Sequence, residues 1–251
     1  KKLPAGAKRM REQTGQTEQK RGRISQLGVL DLRNVKSMEE LRHIEEISVV
    51  GTVLVSEDLQ GSIASIPMDR VGAVVALPAE SKVNRIGGTI RTGGELFERP
   101  AADGSDILLL TGEVIVTSPF RSVAYKQVIV TGELFIPRES ESVLAPYLTQ
   151  CSGTIVPCDH RNPRLFMGQG QFGKAFFEMM KEPVTLILMG EFLIESDVDP
   201  ELLKEKTSEI ILMGMLQSAD RKLIPILQAL TTVQQGSILP AAGSGDGWHG
   251  D

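Results

Sequence analysis

The sequence predicts a mainly β protein with short helices, folded as a single-domain parallel β (α/β) solenoid of about ten coils. Three observations indicate this fold class. Glycines with similar surroundings recur with a period near 20–24 residues, apolar residues alternate on both sides of each glycine, and turn or helix-start residues follow the second apolar run. A repeat of this length is typical of a solenoid, in which each coil buries its apolar side chains only against its neighbours.

The clearest copies of the repeat lie between Ile107 and Pro137. Both read as an apolar run, a Thr-Gly-Glu corner and a second apolar run, with the corners at Gly112 and Gly132. The glycines with matching surroundings are Gly28, Gly51, Gly72, Gly88, Gly112, Gly132, Gly153, Gly190, Gly214 and Gly236. The one long interval in this series indicates a degenerate copy near Gly168 or Gly170.

Each coil is predicted to contain two strands that meet at the glycine. Residues two before and two after the glycine are apolar, as at Val49 and Val53, with Arg70 as the exception. Alternation with period two places these positions inside the coil, and the glycine shares their parity because the corner is too tight for a side chain. Helical turns follow, most clearly at Pro200–Thr207 and Glu141–Leu148. Parallel stacking of such coils predicts one elongated rod.

The segment Leu27-Gly-Val-Leu-Asp-Leu-Arg-Asn and the repeat length resemble a leucine-rich repeat. The later coils have Gly where that family has Asn or Cys at the turn. The resemblance implies a curved α/β solenoid that binds protein partners. The repeat pattern of the chain also resembles that of the bacterial β-solenoid proteins that form polymers. The coils of those proteins are shorter and more regular.

Charge divides the chain into an arm, a body and a tail. Residues 1–25 carry eight Lys or Arg against two Glu, which is a net charge of +6. Because the whole chain has a net charge of −5, the remainder carries −11. We predict a basic flexible arm over residues 1–25, a solenoid domain over 26–240 and a Gly-rich tail over 241–251. An acidic body repels phosphate backbones, so we expect it to bind no nucleic acid.

The sequence contains no apolar run of about 18 residues and no basic segment that leads into an apolar signal sequence. We therefore predict no membrane span. The two cysteines do not form a disulfide framework. We expect a cytoplasmic protein of bacterial type. Because the chain starts at Lys1 rather than at Met, we also expect that an upstream segment is missing.

One motif favours nucleotide binding. Gly168, Gly170 and Gly173 have the spacing of a dinucleotide fingerprint, and Glu191 stands at the distance expected of its acidic ribose ligand. The alternative interpretation is an irregular coil with glycine turns. It is favoured because Met189-Gly-Glu191 is another copy of the Thr-Gly-Glu corner, and because few long helices alternate with the strands.

Two further groups of residues are candidate sites. Cys151, Cys158 and His160 fall within ten residues, but Cys151 holds an inward position that a buried thiol explains without zinc. Glu113 and Glu133 follow the glycines of successive coils, as does Glu191 in a later one. Stacked carboxylates can hold a cation, but a solvated polar face explains the same pattern. We predict no metal site, no catalytic residue and no cofactor.

The prediction of function is based on a stripe of apolar residues. Three residues after successive glycines, on the outward side of the coil, stand Leu54, Val75, Ile115, Phe135, Val156 and Leu193. Such a stripe must be covered by the chain's own helices, by a second copy or by a foreign partner. We predict a non-enzymatic structural or protein-interaction module that self-associates through the stripe or the coil ends into a homo-oligomer. The alternative is a nucleotide-binding protein or enzyme that uses the glycine motif.

Overall fold

Fifteen strands and five short α-helices make up residues 22–241, the part of the chain that the computed structural model describes. The strands are β1 Gly22–Asp31, β2 Ile44–Ser56, β3 Met68–Leu77, β4 Val83–Ile86, β5 Thr89–Thr92, β6 Ile107–Leu110, β7 Glu113–Val116, β8 Gln127–Val130, β9 Glu133–Pro137, β10 Leu148–Cys151, β11 Thr154–Cys158, β12 Pro163–Phe172, β13 Val184–Ile194, β14 Thr207–Ser218 and β15 Thr231–Pro240. The helices are α1 Glu95–Glu98, α2 Glu141–Leu144, α3 Lys174–Glu178, α4 Pro200–Lys206 and α5 Ile224–Leu230. Short 3-10 segments are Glu57–Leu59, Ile63–Ser65, Arg138–Ser140, Ala145–Tyr147 and Arg221–Leu223.

The strands form four sheets, and every strand pairing in them is parallel. Their orders are β1-β2-β3, β4-β6-β8-β10, β5-β7-β9-β11 and β12-β13-β14-β15. The prediction of a mainly β protein with short helices is therefore confirmed. Residues 1–21 and 242–251, which hold most of the predicted arm and tail, lie outside the described residues. The predicted arm ends too late, because β1 already begins at Gly22.

The helical turns form where capping residues favour them. Helix α4 starts at Pro200, and the side chain of Asp199 accepts a 2.8 Å hydrogen bond from the Glu201 amide. Proline at the first helical position needs no hydrogen-bond partner for its nitrogen, and lysines in the last turn complement the helix dipole. The second predicted helix is split into α2 and the 3-10 segment Ala145–Tyr147.

The equivalent glycines form three columns rather than one. Gly168 is the degenerate copy, since it lies opposite Gly190 in the register of β12 and β13. The columns are Gly28, Gly51 and Gly72; Gly88, Gly112, Gly132 and Gly153; and Gly168, Gly190, Gly214 and Gly236. We call the strands that share a column a stack: stack 1 is β1–β3, stack 2 is β4–β11 and stack 3 is β12–β15. A tier is one strand of stack 1 or 3, or one strand pair of stack 2.

Close contact within each column explains the glycines. A Cβ atom on any glycine after the first of its column would lie 1.7–2.7 Å from the carbonyl oxygen of the preceding glycine. Real Cβ atoms do not approach a carbonyl oxygen so closely. The corner therefore excludes a side chain, and the atom that excludes it belongs to the tier before.

Stack 1 departs from the predicted inward pattern. Gln26, Val49 and Arg70, each two residues before a glycine, have left-handed φ values of 62°, 53° and 51°. This conformation shifts the alternation by one residue, so Val50 is buried at 1% exposure while Val49 is 40% exposed. Arg70 is thus not an exception. The prediction that Val49 points inward is wrong for the same reason.

The three stacks pack side by side, which corrects the prediction of one elongated rod. Each stack has its own buried apolar cluster. Two further clusters join stack 1 to stack 2 and stack 2 to stack 3. Linkers of only a few residues, 78–82 and 159–162, lead from the last tier of one stack to the first tier of the next.

All three stacks begin at the same end of the molecule. In the first tiers, Arg85 of β4 forms an ion pair with Asp31 of β1, and Arg91 of β5 donates a 2.8 Å hydrogen bond to the carbonyl of Pro163 in β12. Toward the other end, a side-chain amide of β10 reaches a backbone carbonyl of β3. We call the end with the first tiers the lower end and the end with β3, β10, β11 and β15 the upper end.

Candidate functional site

The predicted apolar stripe is covered by the chain's own strands. Leu54 and Val75 pack against the outward side chains of β6 and β8, which belong to stack 2. Ile115, Phe135 and Val156 pack in the same way against β13 and β14 of stack 3. All five are at most 2% exposed. The cover of these five residues is therefore a neighbouring sheet of the same chain rather than a helix, a second copy or a foreign protein.

Leu193 is the one stripe residue that remains on an open surface. It lies in the second half of β13, after the glycine column, and is half-buried. In stacks 1 and 2 the corresponding half-strands pack on the first half of the next stack. In stack 3, outward side chains of this half line a shallow groove of about 430 Å³, namely Gln169, Gln171, Glu191, Leu193, Met215 and Gln217. We call this surface the open face of stack 3, and it also includes Leu239, which is 43% exposed.

The glycine motif does not form a dinucleotide loop. Gly168 and Gly170 lie inside β12, where they are paired in register with β13. A fingerprint instead needs a turn between strand and helix whose free amides face the pyrophosphate. Only Gly173 stands before a helix, and α3 has five residues. Glu191 accepts a 3.1 Å hydrogen bond from Gln169 on the neighbouring strand. The strand–turn–helix arrangement of the nucleotide-binding hypothesis is therefore wrong.

The glutamates after the glycines fall into two places. Glu113 and Glu133 are opposite each other in β7 and β9, and Glu113 accepts a 2.8 Å hydrogen bond from the hydroxyl of Thr89. Glu191 belongs to stack 3. Glu113 and Glu191 therefore each have a neutral hydrogen-bond partner on the adjoining tier, which is the arrangement expected of a polar face.

The two cysteines lie in opposite environments, and the prediction of a buried Cys151 thiol is wrong. Cys151 is exposed although its place two before the glycine is inward, because β10 is the last strand of its sheet and no tier lies above it. Cys158 is 1% exposed, in the cluster between stacks 2 and 3. Burial, together with the nearby Glu209 carboxylate, raises the pKa of the Cys158 thiol to about 12. Among the described residues, no group of three or more His, Cys, Asp and Glu is arranged to hold a metal ion.

These environments predict that a thiol reagent modifies one cysteine of the native chain at low protein concentration. The thiolate is the reactive form, so the buried Cys158 stays unmodified at neutral pH whereas Cys151 reacts. Counting modified thiols before and after denaturation should give one and then two. In Cys151→Ser the native chain should show none, and rapid modification of that variant would contradict the burial of Cys158.

A buried carboxylate between stacks 2 and 3 was not anticipated. Glu209 of β14 is 3% exposed and accepts a 2.7 Å hydrogen bond from the Asp159 amide. The Arg138 guanidinium and the Thr232 hydroxyl also donate to it. Glu139 and His160 lie beside it, 3.5 Å apart, at the rim of an open depression of about 450 Å³. The only signal in the sequence is a single charge at the start of the apolar run Ile210–Met213.

We expect Glu209→Ala to destabilise the chain by about 2–3 kcal/mol, because it leaves an amide, a hydroxyl and a guanidinium without their acceptor. Urea unfolding at neutral pH measures this change. Glu205→Ala is the matched control, since the Glu205 side chain is 70% exposed and its ion pair with Lys206 should contribute less than about 1 kcal/mol. Equal stabilities of the two variants would show that Glu209 does not hold stacks 2 and 3 together.

Comparison of the chain with models of protein families, with curated proteins and with solved structures finds no match. Within residues 22–241, no helix has the length and apolarity needed to cross a membrane.

Proposed function

We propose that the chain is a non-enzymatic scaffold, a solenoid of coils divided into three stacks, which binds protein through its remaining open surfaces. The observation that carries this proposal is the open face of stack 3. In the two preceding stacks the same half of the coil is covered by the next stack, and in the described chain no fourth stack follows β15. The third of these faces is thus built like the first two, and no strand among residues 22–241 covers it.

The composition of the open face favours a protein partner, including a second copy of the chain. Leu193, Met215 and Leu239 supply apolar surface, and the glutamines between them supply donors and acceptors. An apolar patch with a polar surround is typical of a protein-contact surface. Elsewhere, the Glu209 cluster is held by internal hydrogen bonds, which favours a structural role for its charged groups.

The solution mass of the intact chain tests the proposal. In light scattering after size exclusion, we expect the mass of the wild type to exceed the 27.3 kDa of one chain. The mass should be greater at the higher of two protein concentrations about fifty-fold apart. Leu193→Asp should weaken association at least about ten-fold, because it places a charge in the centre of the contact. Met179→Asp is the control, since Met179 is 80% exposed and lies outside the open face. A wild type that is monomeric at both concentrations would refute self-association.

A further inference from the structure

The free ends of stacks 2 and 3 are a second kind of open surface. In each described sheet the first and last strands have a neighbour on one side only, so β10, β11 and β15 at the upper end and β4, β5 and β12 at the lower end have an unpaired edge. An unpaired edge presents a row of backbone donors and acceptors that another strand can complete. Soluble proteins usually protect such edges with charges, prolines or bulges.

The edge strands at the upper end of these two stacks carry no charge. The three strands read Leu-Thr-Gln-Cys, Thr-Ile-Val-Pro-Cys and Thr-Thr-Val-Gln-Gln-Gly-Ser-Ile-Leu-Pro, without one Asp, Glu, Lys or Arg, although 24% of the chain is charged. Most of β15 is exposed. Pro157 removes one donor from β11, so further pairing there involves mainly Thr154–Val156. The upper end therefore has little of the usual protection against edge pairing.

Inward-facing side chains are uncovered at this end. Cys151 of β10 stands in line with Val130, and Gln234 of β15 stands opposite Leu212. Both are exposed, whereas Leu212 and Val130 are fully buried by the tiers on either side of them. A further tier above β10 and β15 would bury Cys151 and Gln234 in the same way.

The lower end matches the upper end in register. The first tier of stack 2 contains Gly88-Thr89-Ile90 and the last contains Gly153-Thr154-Ile155, whereas the inner tiers carry Glu113 and Glu133 at the threonine position. Placing an upper end on a lower end with the glycine columns continuous sets Thr154 against Thr89. Threonine pairs across strands are favourable, and like charges there are destabilising.

Stack 3 shows the same compatibility. Its first and last tiers have the neutral Gln169 and Ser237 after the glycine, where β13 has Glu191. Continuing the column from Gly236 to the Gly168 of another chain sets Gln234 over Phe166, which is half-buried against the core of stack 3. Gly168 has nothing within 4 Å of the position where its Cβ would be, so a carbonyl from another tier has room there.

We propose that the upper end of one copy pairs, in parallel and in register, with the lower end of a second copy, so that the sheets of stacks 2 and 3 continue from chain to chain. The proposal rests on the scaffold function and names the partner and the surface. Within residues 22–241, stack 1 has one tier fewer than the others, and it does not take part in the contact. Because the two ends are different surfaces, the contact repeats without closing and produces assemblies longer than a dimer.

Cys151→Asp and Gln234→Asp test this contact. Both side chains are exposed in the single chain, so each variant should keep its thermal unfolding temperature at low concentration while burying a charge in the assembled contact. We expect the wild type to form species beyond the dimer, and each variant to form them only at concentrations at least about 100-fold higher. Cys151→Ser, which keeps the size of the side chain without a charge, should assemble like the wild type.

A second measurement uses the thiol itself. Cys151 becomes buried on assembly, so its modification should slow at least about ten-fold at high wild-type concentration and should not slow in Gln234→Asp. Leu193→Asp separates this proposal from the scaffold function. Association that survives Cys151→Asp and Gln234→Asp but is lost in Leu193→Asp overturns the end-to-end contact and leaves the scaffold function standing. A wild type that is monomeric at every concentration overturns both.

Discussion

Phe135→Asp is expected to unfold the chain rather than to release a soluble monomer. Phe135 is fully buried between stacks 2 and 3, where it packs with Ile115, Ile187 and Ile211. Loss of a buried phenylalanine ring costs about 3–5 kcal/mol, and the carboxylate adds a buried charge without a partner. A sum above about 5 kcal/mol equals or exceeds the stability of many domains. Circular dichroism and urea unfolding would show the loss.

Leu193→Asp is the matched control, because Leu193 and Phe135 both stand three residues after a column glycine. Both substitutions replace a large apolar side chain by Asp, and a neighbouring stack covers only Phe135. We expect Leu193→Asp to change the free energy of unfolding by less than about 1 kcal/mol, since its carboxylate stays in water. A folded, soluble Phe135→Asp monomer would instead mean that the packing of stack 2 on stack 3 contributes little to stability.

The sequence predicts that something must cover the apolar stripe, but it does not show which part of the chain does so. Alternation with period two shows that Ile115 and Phe135 share the outward side of their strands with other apolar residues. This alternation contains no information about which residues pack against these side chains. The facing residues, Ile187 and Ile211, are more than 50 residues away in the chain and are themselves an ordinary apolar position of the repeat.

The spacing of the glycines contains a signal for the division into three stacks. Glycines within a stack are 20–24 residues apart, because the chain needs a strand, a corner, a second strand and a turn to return to the column. The intervals from Gly72 to Gly88 and from Gly153 to Gly168 are only 16 and 15 residues. These are the two places where a short linker leads down to the start of the next stack. A shortened interval therefore marks a boundary between stacks.

The polar contacts between stacks could not be predicted from the sequence. The hydrogen bonds to Glu209 come from residues that belong to different tiers or linkers, among them Arg138 and Asp159. Each of these residues on its own resembles an ordinary surface charge beside a strand. The left-handed residues of stack 1 are different, since the hydrophilic Arg70 at an apolar position already indicated that the alternation shifts there.

Gly132→Ala is expected to destabilise the chain by about 3 kcal/mol or more, although it adds only one methyl group. The new Cβ would lie 2.1 Å from the carbonyl oxygen of Gly112 and 2.5 Å from its nitrogen. That oxygen cannot move away, because it accepts a 2.8 Å hydrogen bond from the Glu133 amide. Relief of the clash must therefore separate tiers in both sheets of stack 2.

Gly28→Ala controls for the chemical change at an equivalent corner. Gly28 is the first of its column, has nothing within 4 Å of the position where its Cβ would be, and does not need a left-handed φ. The same substitution there should change the free energy of unfolding by less than about 1 kcal/mol, since alanine in a strand is at least as favourable as glycine. Thermal and urea unfolding of the two variants measure the difference. Equal stabilities would show that the tiers are not held at the spacing that the columns require, because a methyl group would then fit between Gly132 and the carbonyl of the tier before.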